Sequence, residues 1–136
     1  MSSLAASTSL ADAHPPIALG ALDGRYRGAV APLVDHLSEP ALNRARVHVA
    51  VEWLIHLTER EVVPGVRRLT ASEIESLREM VRTFGAAEID EMAATERVTQ
   101  HDVKAVEYFV KKRLTQIAPD DADRGLAELI HFACTS

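Results

Sequence analysis

From Val103 onward, Val103, Val106, Val110, Leu114 and Ile117 recur at helical spacing, which predicts a helix with one stripe turned to a core. At about 100° per residue the same wheel carries His101, Lys104, Tyr108 and Lys112 to the opposite side. Thr99, followed three residues later by Asp102, fits the pattern of a hydroxyl cap and an acid, and so predicts the helix start at Thr99. The pair His101-Asp102 then stands at the mouth of a buried helix. It belongs either to the cap, since acids in a first turn meet free N–H groups and the positive end of the dipole, or to a binding site.

The remaining apolar residues follow the same period, so the expected fold class is all-α. Glu39-Pro40 opens a long helix, with Val47, Val51, Leu54, Ile55 and Thr58 inward and Trp53 at the edge of that face. His48 and His56 are eight residues apart with no third ligand nearby, which is poor spacing for a metal. Val63-Pro64-Gly65 closes this helix. Thr70 and Glu73 form a second capping pattern, followed by Ile74, Leu77, Val81 and Phe84 on one face. Gly85 breaks it, and a short helix follows over residues 86 to about 96 with Ile89, Met92 and Ala93 inward. Pro119 to Gly125 is a polar connection, and Leu126 to Phe132 begins another apolar element. Residues 1–18, rich in Ser and Ala and ending near His14-Pro15-Pro16, are expected to be a mobile tail. One helical domain is expected over residues 19–136. No strand alternation and no internal repeat appears.

Several classes of partner are disfavoured. The net charge is −5 and there is no basic stripe with interleaved aromatics, which argues against nucleic acid. The single cysteine, Cys134, gives neither a disulfide framework nor a zinc cluster and fits a reducing cytoplasm. No apolar run approaches the roughly 20 residues of a membrane span, and no basic segment opens a signal peptide. At the other end, Thr135-Ser136 would naturally cap a following helix, so the chain is expected to stop short of a natural terminus.

Three spots carry polar groups suited to anions. Gln100 and His101 lie where backbone N–H groups point outward. Thr135 and Ser136 offer two hydroxyls at a second helix start. Arg25, set on a loop by the Asp23-Gly24 turn, offers a fork for phosphate or carboxylate. The plainer reading of Arg25-Tyr26 is a surface arginine stacked on a partly buried ring. If the three spots converge they form an anion-seeking surface, but spacing does not show convergence. No glycine-rich phosphate loop, HExxH or GxSxG is present.

The segments Asp23-Gly-Arg-Tyr26, Thr99-Gln-His-Asp-Val-Lys-Ala-Val-Glu-Tyr-Phe109 and His131-Phe-Ala-Cys-Thr-Ser136 resemble, in order and interval, three N-terminal motifs of the adenylosuccinate lyase family in its bacterial form. That family lies in the fumarase/aspartase superfamily, and the resemblance covers roughly residues 18 to 136. It implies the N-terminal helical domain of a cytoplasmic homotetramer built on a long central helix bundle, with no cofactor and no metal. It implies a β-elimination that releases fumarate from adenylosuccinate, leaving AMP, and from the succinyl-carboxamide ribotide of purine biosynthesis. A base removes the proton beside a carboxylate and an acid protonates the departing nitrogen.

By the same resemblance Arg25 and Tyr26 bind the nucleotide end, most plausibly at its phosphate. Gln100, His101 and Asp102 hold the nucleotide and orient the succinyl group, and Thr135 and Ser136 contact succinyl carboxylates or nearby polar atoms. The family's general acid histidine and mobile-loop serine fall downstream of the last motif, so this chain alone is expected to be inactive. Two alternatives remain: another superfamily lyase, acting on argininosuccinate or fumarate, and a non-catalytic helical interaction module.

Overall fold

The computed structural model describes residues 7–119 and 125–135. Among these it is wholly helical, as the apolar spacing requires: α1 (Arg27–Val30), a 3₁₀ turn (Ala31–Leu33), α2 (Val34–Leu37), α3 (Glu39–Glu59), α4 (Ala71–Arg82), α5 (Ala86–Thr99), α6 (Asp102–Ile117) and α7 (Leu126–Leu129). Most of the polar connection at 119–125 and the residues 1–6 lie outside the described residues.

α3 is the axis of the fold. Ser38 caps it by accepting from the Ala41 N–H at 3.2 Å, and Pro40 in the first turn costs no hydrogen bond. Val47, Val51, Leu54, Ile55 and Thr58 are all buried, as the spacing predicts. They meet Leu77, Val81 and Phe84 from the α4 side, Met92 from α5, and Val106, Phe109, Val110 and Leu114 from α6. Thr58 hides its hydroxyl by donating to the Ile55 carbonyl at 2.9 Å. Burying each such leucine or phenylalanine stabilises the fold by about 1.5–3 kcal/mol. α7 is one turn long and closes the core with Leu126 and Leu129. Its cap, Gly125, has φ +106, and a Cβ there would lie 3.2 Å from Val66 Cγ2, so both conformation and space call for glycine.

The sequence and the structure part in two places. The segment from Ser7 was expected to be a mobile tail up to residue 18. Here Leu10 is fully buried with Val34 and Ala41 in a second small cluster. Backbone anchors take the place of a periodic apolar face. The Leu10 N–H donates to Asp35 Oδ1 at 2.6 Å, the Thr8 N–H donates to the Arg82 carbonyl at 2.8 Å, and buried Arg44 donates to the Thr8 carbonyl at 2.7 Å. Burial raises the Asp35 pKa, but the Leu10 N–H, the Ser9 hydroxyl and Arg44 outweigh it and hold the carboxyl below its usual value.

The second difference concerns the start of α6. Thr99 is not its cap, because α5 runs on through it: the Gln100 N–H still reaches the Glu96 carbonyl at 2.7 Å. A residue in helical geometry cannot serve as an N-cap, and the role passes to His101, whose backbone is extended at φ −152, ψ 117.

The capping box at α4 is present in full, and Arg67 reinforces it. Glu73 Oε1 and Oε2 take Arg67 at 2.7 and 2.9 Å, and Oε2 also accepts the Thr70 N–H at 2.7 Å. The Arg67 hydrogen bond foremost, with those from Thr70, pulls the Glu73 carboxyl down to about 2. The folded chain therefore holds this proton less well than the unfolded chain. Its contribution is fully present above the unfolded value near 4.5 and is lost as pH falls toward 2. The expected gap in unfolding free energy between the parent and Glu73→Gln is about 2–3 kcal/mol near neutral pH, shrinking through that window. Urea titrations at pH 6 and pH 3 read it, and an equal gap at both would refute the assignment.

Candidate functional site

The turn between α5 and α6 is a sharp corner. Gln100 occupies the left-handed region at φ 54, ψ 29, a conformation that costs a non-glycine residue about 1 kcal/mol. Its side chain repays part of this by donating from Nε2 to the Arg97 carbonyl at 2.8 Å, and among the described residues the amide oxygen takes no hydrogen bond. Thr99 ties the corner, donating from Oγ1 to the His101 carbonyl at 3.1 Å.

His101 closes the first turn of α6 with its own ring: Nδ1 accepts the Lys104 backbone N–H at 3.2 Å. An accepting Nδ1 carries no proton, so the neutral imidazole must hold its hydrogen on Nε2. The ring is exposed and thus presents an N–H donor, not a base, to whatever lies outside the corner. A hydrogen bond between His101 and Asp102 is absent, since His101 Nδ1 and Asp102 Oδ1 are 3.7 Å apart. Asp102 is engaged elsewhere. Its Oδ1 accepts the Val103 N–H at 2.8 Å and its Oδ2 forms an ion pair with Arg46 of α3 at 2.7 Å. The Val103 N–H and then Arg46 hold its carboxyl below the usual carboxylate range, so it is a carboxylate at neutral pH. Nδ1 of His101 thus serves the cap, which leaves Nε2 of the exposed ring outside that role.

Beside the corner runs a cleft of about 430 Å³ between α3, α6 and the residues after α7. Leu42, Val49, Trp53, Val103 and Ile130 line it, and its polar members include Arg46, Glu107, His131 and Thr135. Glu107 is buried in that wall, paired with Lys104 at 2.8 Å and Lys111 at 3.0 Å. Burial raises its pKa, but the two lysines more than offset this and keep it ionised. Trp53 donates from Nε1 to the Phe132 carbonyl at 2.9 Å, fastening the last described residues to α3.

The site residues expected from the sequence are thus grouped unevenly. Gln100, His101 and Asp102 are consecutive at the corner. Thr135 joins them through the cleft, because Arg46 both lines the cleft with Thr135 and grips Asp102. Arg25 and Tyr26 lie before α1 and engage each other: the guanidinium is 5.1 Å from the ring centroid and donates to the phenol oxygen at 2.9 Å. Tyr26 is 52% exposed. Ser136 lies outside the described residues. Two members of the site went unnoticed in the sequence, Arg46 and Glu107. A signal was available for the cleft itself: Leu42 and Val49 repeat at helical spacing on the side of α3 away from the core, with Trp53 at the core's edge beside them. Val49 is 68% exposed there and Leu42 50%. Among the described residues no group of three His, Cys, Asp or Glu could hold a metal ion, and no helix is long and apolar enough to cross a membrane.

No family model matches this chain. Curated proteins do. Over 119 residues, 88% of the chain, it is 39% identical to the adenylosuccinate lyase of Escherichia coli K12 and 39% identical to that of Haemophilus influenzae Rd. Over 121 residues it is 32% identical to the adenylosuccinate lyase of Dictyostelium discoideum. The resemblance read from three short motifs thus extends over most of the chain. The chain spans about a quarter of the length of these relatives, 25% in each case.

Proposed function

We propose that this chain is part of an adenylosuccinate lyase and supplies one wall of its substrate site. The whole enzyme would be a cytoplasmic homotetramer that eliminates fumarate from adenylosuccinate and from the succinyl-carboxamide ribotide of purine biosynthesis. The observation that carries this reading is the corner at 100–102, matched to such enzymes along the surrounding sequence and built to offer a neutral N–H donor beside a fixed carboxylate. A substrate with a phosphate and two carboxylates needs donors, and an imidazole whose Nε2 carries the proton supplies one without having to change charge.

In this reading His101 Nε2 and Gln100 hold the nucleotide, and Asp102 orients the succinyl group. The Thr135 and Ser136 hydroxyls take the succinyl carboxylates, and Arg25 with Tyr26 grips the phosphate. An elimination also requires a base at the carbon beside the carboxylate and an acid at the leaving nitrogen. His101 is unsuited to the first role while Nδ1 serves the cap, and Asp102 is held ionised and so unsuited to the second. By the resemblance to adenylosuccinate lyases both tasks fall to residues downstream of position 136, and this chain binds and orients.

The full-length chain is expected to convert adenylosuccinate to AMP and fumarate, followed by the ultraviolet absorbance of the products, whereas residues 1–136 alone give no turnover. Fumarate released from argininosuccinate and none from adenylosuccinate would overturn the substrate assignment.

A further inference from the structure

We propose that Arg46 is a positioning residue for the elimination, acting through Asp102; this rests on the function proposed above. Asp102 is nearly half exposed, and a carboxylate on the first residue of a helix is free to swing between the helix N–H groups and water. Two contacts prevent it. The Val103 N–H fixes Oδ1, and the Arg46 guanidinium, reaching from α3, fixes Oδ2 at 2.7 Å. Arg46 is itself braced: Nη1, the nitrogen facing Asp102, also donates to Asn43 Oδ1 at 3.1 Å, one helical turn back on α3. The Arg46 side chain is only 30% exposed, along the wall of the apolar cleft, where water screens the pair less than at an open surface. The carboxylate is thereby tied to α3, the helix that carries much of the core, and not merely to its own backbone.

The same side chain joins the two halves of the site. It borders the cleft that Thr135 lines, while its charge meets the corner that carries His101. Among the described residues its Nε and Nη2 have no acceptor. A rival role follows from this, in which Arg46 takes a substrate carboxylate directly. The two roles differ in what they do to kinetics. A group that orients Asp102 sets the fraction of bound substrate in reactive geometry and acts on kcat. A group that grips a carboxylate equally in ground and transition states acts on KM.

The test is a double-mutant cycle in the full-length enzyme with Arg46→Met, Asp102→Asn and the two combined; methionine keeps most of the buried stem. The expected result is a fall in kcat of about tenfold for Arg46→Met with KM changed less than about threefold, and a double variant no slower than Asp102→Asn alone. Arg46→Lys, which keeps the charge but not the fork, should recover part of the loss. Independent, multiplicative losses would overturn the proposal, as would a rise in KM at unchanged kcat. If Arg46→Met fails to fold, the Lys variant alone decides: kcat reduced at constant KM supports positioning, and a parental kcat refutes it. Failure of the parent enzyme to act on adenylosuccinate would instead sink the function proposed above, before any variant is made.

Discussion

His101→Asn in the full-length enzyme is expected to leave stability near the parent value and to lower kcat/KM about 10- to 100-fold. The reasoning separates the two nitrogens of one ring. Asparagine is among the best N-cap residues, and its side-chain oxygen can accept the Lys104 N–H that Nδ1 accepts now, at 3.2 Å. It cannot reach outward as the imidazole does, so the Nε2 donor is lost. A hydrogen bond to a charged partner is worth about 1.5–3 kcal/mol, which gives the range of the activity loss. His101→Ala removes both functions. It should show the same kinetic defect and a further loss of about 1 kcal/mol in unfolding free energy, the usual value of a cap. Steady-state kinetics and urea denaturation of the two variants side by side make the comparison. Parental activity in His101→Asn would mean that the histidine is a cap and nothing more. Equal stability of the two variants would mean that its ring contributes no cap energy.

The limits of what the sequence could convey are clearest at this same corner. The helix, its inward stripe and its exposed face follow from period alone, because burial of one face is a property of spacing. Buried Val106, Val110 and Leu114 and exposed Lys104 and Tyr108 fall where the wheel puts them. The capping box at Thr70 was equally plain, since both partners are in the motif. The start of α6 was two residues off. Local chemistry offered Thr99 as the cap, and finding His101 in that role required knowing how far α5 extends, which its own apolar residues do not specify: the last residue of α5 turned to the core is well before Thr99, and Val98 is 84% exposed.

Long-range polar contacts were beyond reach for a different reason. Arg46 meets Asp102 only because α3 and α6 cross, and nothing about an arginine on a helix surface distinguishes it until the partner helix is placed. The docking of Leu10 is similar, since it depends on Asp35 and Arg44 meeting in space. The motif at 99–109 marked the corner as a candidate site. It did not indicate which atom of each residue was already committed.

Phe84→Ala should be among the most destabilising single changes in the chain, at about 3–5 kcal/mol. The ring is fully buried where α4 ends and α5 begins, and it meets Phe109 of α6 edge-to-face, with centroids 5.9 Å apart and planes at 73°. Such a pair adds about 0.5–1.5 kcal/mol to the area term. The far side of Phe109 is held too, by the Arg113 guanidinium at 4.7 Å from its centroid, and Arg113 in turn pairs with Glu91 of α5 at 2.7 Å. Truncation would open a cavity at the junction of three helices, with Arg113 pinned by Glu91 and unable to fill it. Phe84→Leu, which restores most of the volume but not the edge-to-face contact, should cost about 1 kcal/mol. Urea midpoints of the two variants against the parent measure the difference. A loss under about 1 kcal/mol for alanine would mean that the junction collapses around the gap. Catalysis should respond differently. Phe109 is eight residues along α6 from His101, about 12 Å of helix, and Asp102 has a separate anchor in Arg46. Activity per folded enzyme at low temperature should therefore stay within about twofold of the parent, since sites that share no partner behave additively. A large kinetic defect in folded Phe84→Ala would instead show that the corner is set by the core beneath it and not by its own cap and ion pair.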